Sequence, residues 1–85
     1  MITKIFSVYD VTAMAYLPPF YMPNDTAAIC AITTCLLDPN HQFTVNPEDF
    51  FLYALGTFDD TDASYDVLEK PVLLHTVLEL KSLSE

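Results

Sequence analysis

The stretch Asn46-Pro-Glu-Asp-Phe-Phe-Leu-Tyr-Ala-Leu-Gly-Thr-Phe-Asp-Asp60 decides how the chain is read. It holds a helix-start signal, a run of large apolar residues, the single glycine and a pair of carboxylates. Asn46 is the expected N-cap, because its side-chain oxygen can accept a hydrogen bond from an orphan amide of a first turn. Pro47 suits the first helical position, where its missing N–H costs nothing. Glu48 and Asp49 then fall where the positive end of a helix dipole favours carboxylates. The turn should be short, since Leu52–Phe58 alternates as a strand. Leu52, Ala54, Gly56 and Phe58 would point one way, and Tyr53, Leu55 and Thr57 the other. Asp59-Asp60-Thr61-Asp62-Ala63-Ser64 closes it as a loop or hairpin turn.

Towards the N-terminus, Lys4–Tyr9 alternates β-branched and aromatic residues and reads as a strand ending at Asp10. Asp10–Ala13 is a tight connection and Met14–Leu17 a second strand, together a β-hairpin that lacks an Asn-Gly or Asp-Gly turn. Pro18-Pro19 ends this ladder by removing two amide donors. Phe20-Tyr-Met-Pro23 is then an extended apolar segment that must cover something. Asn24, Asp25 and Thr26 are N-cap candidates for a helix over Ala27–Leu37. On a helical wheel Ala28, Ile29, Ile32, Cys35 and Leu36 share one face, with Thr26, Cys30, Thr33 and Thr34 opposite. Asp38-Pro39-Asn40 stops the helix, and His41–Val45 links it to the central stretch.

Beyond the acidic turn, Tyr65–Leu68 reads as a short strand pairing back onto Leu52–Phe58. The run from Pro71 supports two readings. As a helix it has a stripe of Leu73, Leu74, Val77, Leu78 and Leu80, with His75 and Glu79 together outside. As a strand it places Val72, Leu74, Leu78 and Leu80 on one face. Its length and its start at a proline favour the helix over 72–81. The expected fold is a single domain over residues 1–85. It is α+β, a small antiparallel sheet with two or three short helices packed on one face.

Charge narrows the function classes. Twelve carboxylates face three lysines and no arginine, giving a net charge of −9 at pH 7. Phosphate contacts dominate nucleic-acid affinity and need Lys or Arg, so direct binding to nucleic acid or to an anionic membrane is disfavoured. A basic protein partner fits better, beside the plain effect of acidity on solubility. No window approaches the roughly 18 apolar residues of a membrane span. The start, Met1-Ile-Thr-Lys-Ile-Phe-Ser7, has no secretory h-region, which implies a cytoplasmic location. On one helix Cys30 and Cys35 lie about 140° apart and cannot bridge. Without a CxxC or a His pair they make a poor zinc site, so they are expected to be reduced core thiols.

No residue pattern calls for catalysis or a cofactor. Asp59, Asp60, Asp62 and Asp66 cluster, but an EF-hand counted from Asp59 places Ser64 where glycine is needed and Lys70 where a bidentate Glu is needed. Glu48 and Asp49 diverge by about 100° on a helix and cannot serve one substrate together. His41 and His75 have no nucleophile at a recognisable spacing, and no phosphate-binding glycine loop occurs. Gly56 is expected to relieve crowding in the sheet or to mark a bulge.

Several pieces, in order, resemble the small nonstructural protein of gokushoviruses, the single-stranded DNA phages of the Microviridae. They are Lys4-Ile-Phe-Ser-Val-Tyr-Asp10, Ala15-Tyr-Leu-Pro-Pro-Phe20, Ala27-Ala-Ile29, Asp38-Pro39 and the Asn46–Asp60 stretch. The resemblance implies a non-enzymatic protein, likened by gene position to a microvirus protein that helps switch double-stranded replication to single-stranded synthesis and packaging. In such proteins the position of Cys30 is commonly basic, so the thiol here removes a DNA-contact candidate. The expectation is therefore an accessory protein acting through viral or host protein contacts in the host bacterial cytoplasm, as a homo-oligomer. Tyr16, Phe20, Tyr21, Asp59, Asp60 and Asp62 would be its partner-binding residues. The alternatives are an acidic DNA mimic that inhibits a host nucleic-acid enzyme, and an oligomeric single-strand binder using the aromatics.

Overall fold

In the computed structural model, which describes residues 1–84, the N-terminal alternating run forms β1 (Ile2–Asp10) at the middle of an antiparallel sheet. Its flanks pair with β4 (Phe50–Asp59) on one side and with β2 (Ala15–Tyr16) and β3 (Phe20–Met22) in succession on the other. Strand β5 (Ser64–Thr76) pairs with the far side of β4 and leaves its own outer edge open. Helices α1 (Asp25–Cys35), α2 (Gln42–Val45) and α3 (Val77–Ser84) complete the expected α+β fold. Among the described residues no helix is long and apolar enough to cross a membrane.

The first hairpin forms without a glycine turn because Asp10 supplies the missing chemistry. Its Oδ1 accepts from the backbone N–H of Thr12 at 3.0 Å and of Ala13 at 3.3 Å, while Met14 turns the chain at a φ of 53°. Met14 therefore belongs to the turn, and β2 is shorter than Met14–Leu17 suggests. The two prolines separate β2 from β3 but do not end the pairing with β1. Leu17 donates its N–H to Val8 at 2.8 Å, and the buried Ser7 hydroxyl donates to the Leu17 carbonyl at 2.6 Å. The segment Phe20–Met22, expected only to be extended, is thus an edge strand.

Register sorts the side chains. Phe6 pairs with Ala54 and Phe20, and Val8 with Leu52, facing the helices. The core joins Phe6, Val8 and Leu52 to Ala28, Ile32, Phe43, Phe50, Val77 and Leu80. Helix α1 buries the expected stripe, with Ala28 and Ile32 inside and Ile29, Cys35 and Leu36 packed at its margin. Asn24 caps it, its Oδ1 accepting from the Ala27 N–H at 2.8 Å. Both cysteines are free, but only Cys35 lies against the core; Cys30 is exposed and is not a core thiol. Between α1 and the β2–β3 segment remains an apolar cavity of about 250 Å³, lined among others by Leu17, Phe20, Met22, Ile32, Cys35 and Phe43.

Four further expectations are corrected. The link His41–Val45 contains a helical turn, capped by His41 Nδ1 accepting from the Phe43 N–H at 3.1 Å, because Phe43 must be carried into the core against Phe50. Asn46 makes no side-chain cap. It ends α2, donating its N–H to Gln42, and its carbonyl takes the Asp49 N–H of the 3-10 turn Pro47–Asp49, so its backbone serves two elements. Alternation in β4 breaks at Leu55, which pairs with nothing in β1: Phe6 faces Ala54 and Ile5 faces Gly56. A bulge of one residue swaps the faces beyond it, so Gly56 and Phe58 leave the side of Leu52 and join that of Tyr53.

The fourth correction concerns the C-terminal run. Residues 72–76 are strand, continuous with 64–67, and the helix starts only at Val77. The open amides and carbonyls of Phe51–Ala54 demand a partner, which outweighs the helical preference of a leucine-rich run. The Thr76 hydroxyl accepts the Glu79 N–H at 3.0 Å and starts α3, so Thr76-x-x-Glu79 behaves as a helix-start pattern. Against β4, Val67 pairs with Gly56 and Val72 with Ala54, leaving Leu68–Pro71 as an unpaired, exposed protrusion.

Candidate protein-docking face

The helices cover one side of the sheet, and the other side is lined by aromatic rings. Tyr9 and Tyr16 lie in register on β1 and β2, and the rings of Tyr16 and Tyr53 follow, with centroids 4.8 and 5.6 Å apart. At the opposite end Tyr21, Phe58 and Tyr65 make a second triad, with successive centroids at 5.9 and 4.8 Å. Both sets follow from strand parity, but the second forms only because the Leu55 bulge turns Phe58 outward. Each ring pair meets edge-to-face, the arrangement that the aromatic quadrupole favours.

Tyr21 and Tyr65 stand on β3 and β5, with β1 and β4 between them. The sheet curls so that both lean over Phe58 and their hydroxyls come within 3.5 Å. An open cavity of about 350 Å³ is lined by Thr3, Tyr21, Phe58, Asp60 and Tyr65. The Tyr65 hydroxyl beside it holds the Tyr21 phenol above its usual pKa, with desolvation acting the same way.

Of the residues singled out from the sequence, Tyr21 and Asp60 are brought together at this cavity, and Tyr16 lies on the same face in the other triad. Phe20 is placed elsewhere. It faces the helices, stacked on Phe6 at 5.8 Å, and lines the apolar cavity. Phe58, Tyr65, Tyr9 and Tyr53 complete the face without having been singled out. Tyr9 and Tyr53 were legible from strand alternation; Phe58 was not, because nothing in residue type announces the bulge.

The acidic turn at the tip of the β4–β5 hairpin directs its carboxylates to separate tasks. Asp59 Oδ1 accepts from the Thr61 N–H at 2.9 Å. Asp62 Oδ1 accepts from the Ser64 hydroxyl at 2.7 Å and its N–H at 3.1 Å. Asp60 pairs with the Met1 ammonium, which raises the pKa of that group. Asp66, opposite Thr57, lies beyond the turn on the strand. Among the described residues no three His, Cys, Asp or Glu side chains converge as a metal site.

The Thr61 N–H and hydroxyl lower the pKa of Asp59, and the Ser64 hydroxyl and N–H lower that of Asp62. A carboxyl depressed in the folded state contributes order above its unfolded pKa and loses it as pH falls through the folded value. The hairpin tip is therefore expected to keep its geometry down to about pH 4 and to loosen below it. Amide NMR shifts of Thr61 and Ser64 followed through an acid titration measure this; shifts flat down to pH 2 would contradict it.

The lysines lie away from the aromatic cavity. Lys4 reaches Asp25 of α1 at 3.0 Å, Lys81 donates to the Thr44 carbonyl at 3.2 Å, and Lys70 sits in the Leu68–Pro71 protrusion. The face thus offers stacking surface and negative charge together. Neither a curated protein nor a solved structure matches the chain. A family model does, over residues 3–80, and by it the chain belongs to the Phage ORF5 protein family of bacteriophage proteins.

Proposed function

We propose that this phage protein is a non-enzymatic accessory factor of the gokushovirus kind, acting in viral single-stranded DNA replication or packaging through protein–protein contacts. It works in the cytoplasm of the host bacterium, as a homo-oligomer. One observation carries the reading: the open side of the sheet presents two aromatic triads, and the cavity of the second is bordered by a carboxylate and no lysine. Stacking surface of this kind suits single-stranded bases only when cations accompany it to hold the phosphates. Here Asp59, Asp60 and Asp62 outnumber the Met1 ammonium that pairs with Asp60, so phosphates would be repelled and a protein surface is the better match.

The position of Asp59, Asp60 and Asp62 at a hairpin tip favours a second reading, an acidic mimic of DNA that occupies a host nucleic-acid enzyme. Fluorescence anisotropy with labelled single-stranded DNA, at ~50 and ~200 mM salt, tests the first reading, because phosphate contacts weaken steeply over that range. No binding at either salt is the expected result. Tight binding at low salt that fades at the higher value would overturn the protein-contact reading. Converting Asp59, Asp60 and Asp62 to Asn tests the second: a mimic loses its enzyme partner, and its complex collapses as ionic strength rises.

A further inference from the structure

The cavity lined by Tyr21 and Tyr65 has a more specific shape than an apolar patch. The three rings that line it meet edge-to-face, at 73° between Tyr21 and Phe58 and 68° between Phe58 and Tyr65. The polar groups among its lining residues are the phenol oxygens, the Thr3 hydroxyl and the Asp60 carboxylate. Aromatic faces carry negative potential, and rings grouped beside a carboxylate attract an organic cation, which here would share Asp60 with the Met1 ammonium or displace it. The two tyrosine hydroxyls are 3.5 Å apart, longer than the roughly 2.7 Å of a good O–H···O bond, so separating them sacrifices little.

We infer that the box formed by Tyr21, Phe58, Tyr65 and Asp60 receives an arginine side chain from a basic segment of a partner protein. The inference rests on the protein-contact reading above and names the partner's chemistry. Charge selects the occupant. A second copy of this chain brings no arginine and a like charge of −9. A nucleic-acid base would stack on the rings but carry its phosphate against the turn that holds Asp59, Asp60 and Asp62. A guanidinium is planar and weakly hydrated and stacks on rings better than an ammonium, which favours arginine over lysine.

The test uses the whole protein and three labelled probes: an amidated hexa-arginine peptide, its hexa-lysine counterpart and an oligothymidylate of similar length. Anisotropy is read at ~150 and ~500 mM salt, since general charge attraction is screened at the higher value. Hexa-arginine is expected to bind more tightly than hexa-lysine and to retain affinity at the higher salt. Tyr65→Ser and Tyr21→Ser alter exposed residues without changing net charge, and each should weaken hexa-arginine binding about tenfold. Tyr65→Phe, which keeps the ring, should bind like the parent and guards against loss of fold. Equal binding by the serine variants and the parent would overturn the box while leaving the protein-contact reading in place. No hexa-arginine binding by the parent would do the same. Oligothymidylate binding in place of hexa-arginine would overturn both.

Discussion

Gly56→Ala is expected to cost more than about 3 kcal/mol, a large share of the roughly 4–13 kcal/mol available to a domain of this length. A Cβ at position 56 would lie 2.3 Å from the Asp66 carbonyl oxygen and 2.8 Å from the Val67 Cα. Both are backbone atoms of the paired strand, so no side-chain rotation can make room. The φ of 155° adds strain for any residue that carries a Cβ. Relief requires β5 to move away from β4 at the point where the Leu55 bulge already interrupts the ladder. A urea titration of the variant should show its midpoint displaced far below the parent's, or a chain that does not fold. A parental midpoint would mean that the two strands are not in close contact there. Because the same bulge turns Phe58 outward, the variant should also lose the second aromatic triad, visible in the near-ultraviolet circular dichroism of its tyrosines.

Phe6→Ala should cost about 3–5 kcal/mol. Phe6 is fully buried, stacks on Phe20 and sits opposite Ala54 in the central pair of strands. Truncation leaves a hole that the neighbours cannot close, since Phe20 already borders an apolar cavity of about 250 Å³ and its movement would enlarge that space. The urea midpoint again reads the effect, and Phe6→Leu, which keeps most of the volume, should recover the greater part of it. A loss below about 1 kcal/mol would show that the core around Phe20 repacks freely.

Alternation made β1 and β4 legible, since each has one face in the core and β-branched or aromatic residues along its length. Helix α1 was legible for a related reason: Asn24 precedes a run whose period of 3.6 puts Ala28 and Ile32 together. The errors arose where tertiary demand overrode local pattern. The run 72–76 is leucine-rich and follows a proline, yet it is strand because β4 needs a partner along Phe51–Ala54. His41–Val45 had no helical period to read, being one turn built to bury Phe43. Phe58 reached the outer face through a one-residue bulge that shifts register without a residue-type signature. The aromatic side of the sheet was therefore half visible: Tyr16 and Tyr21 lie on it with Asp60 at its rim, while Phe58 was assigned to the wrong side of the sheet.

The protrusion Leu68–Pro71 bears on how the chain behaves in a crowded cell. Strand β5 is thirteen residues long, and Tyr65, Val67, Leu68, Val72 and Leu73 are exposed along its open edge. A flat edge of that length and character would be a template for cross-β growth. The protrusion and a second register shift at Leu74 divide its pairing into short ladders that are out of step, and Pro71 withholds an amide between the first two. An incoming strand meets no continuous ladder along the full edge, so strand-by-strand growth there is expected to be disfavoured.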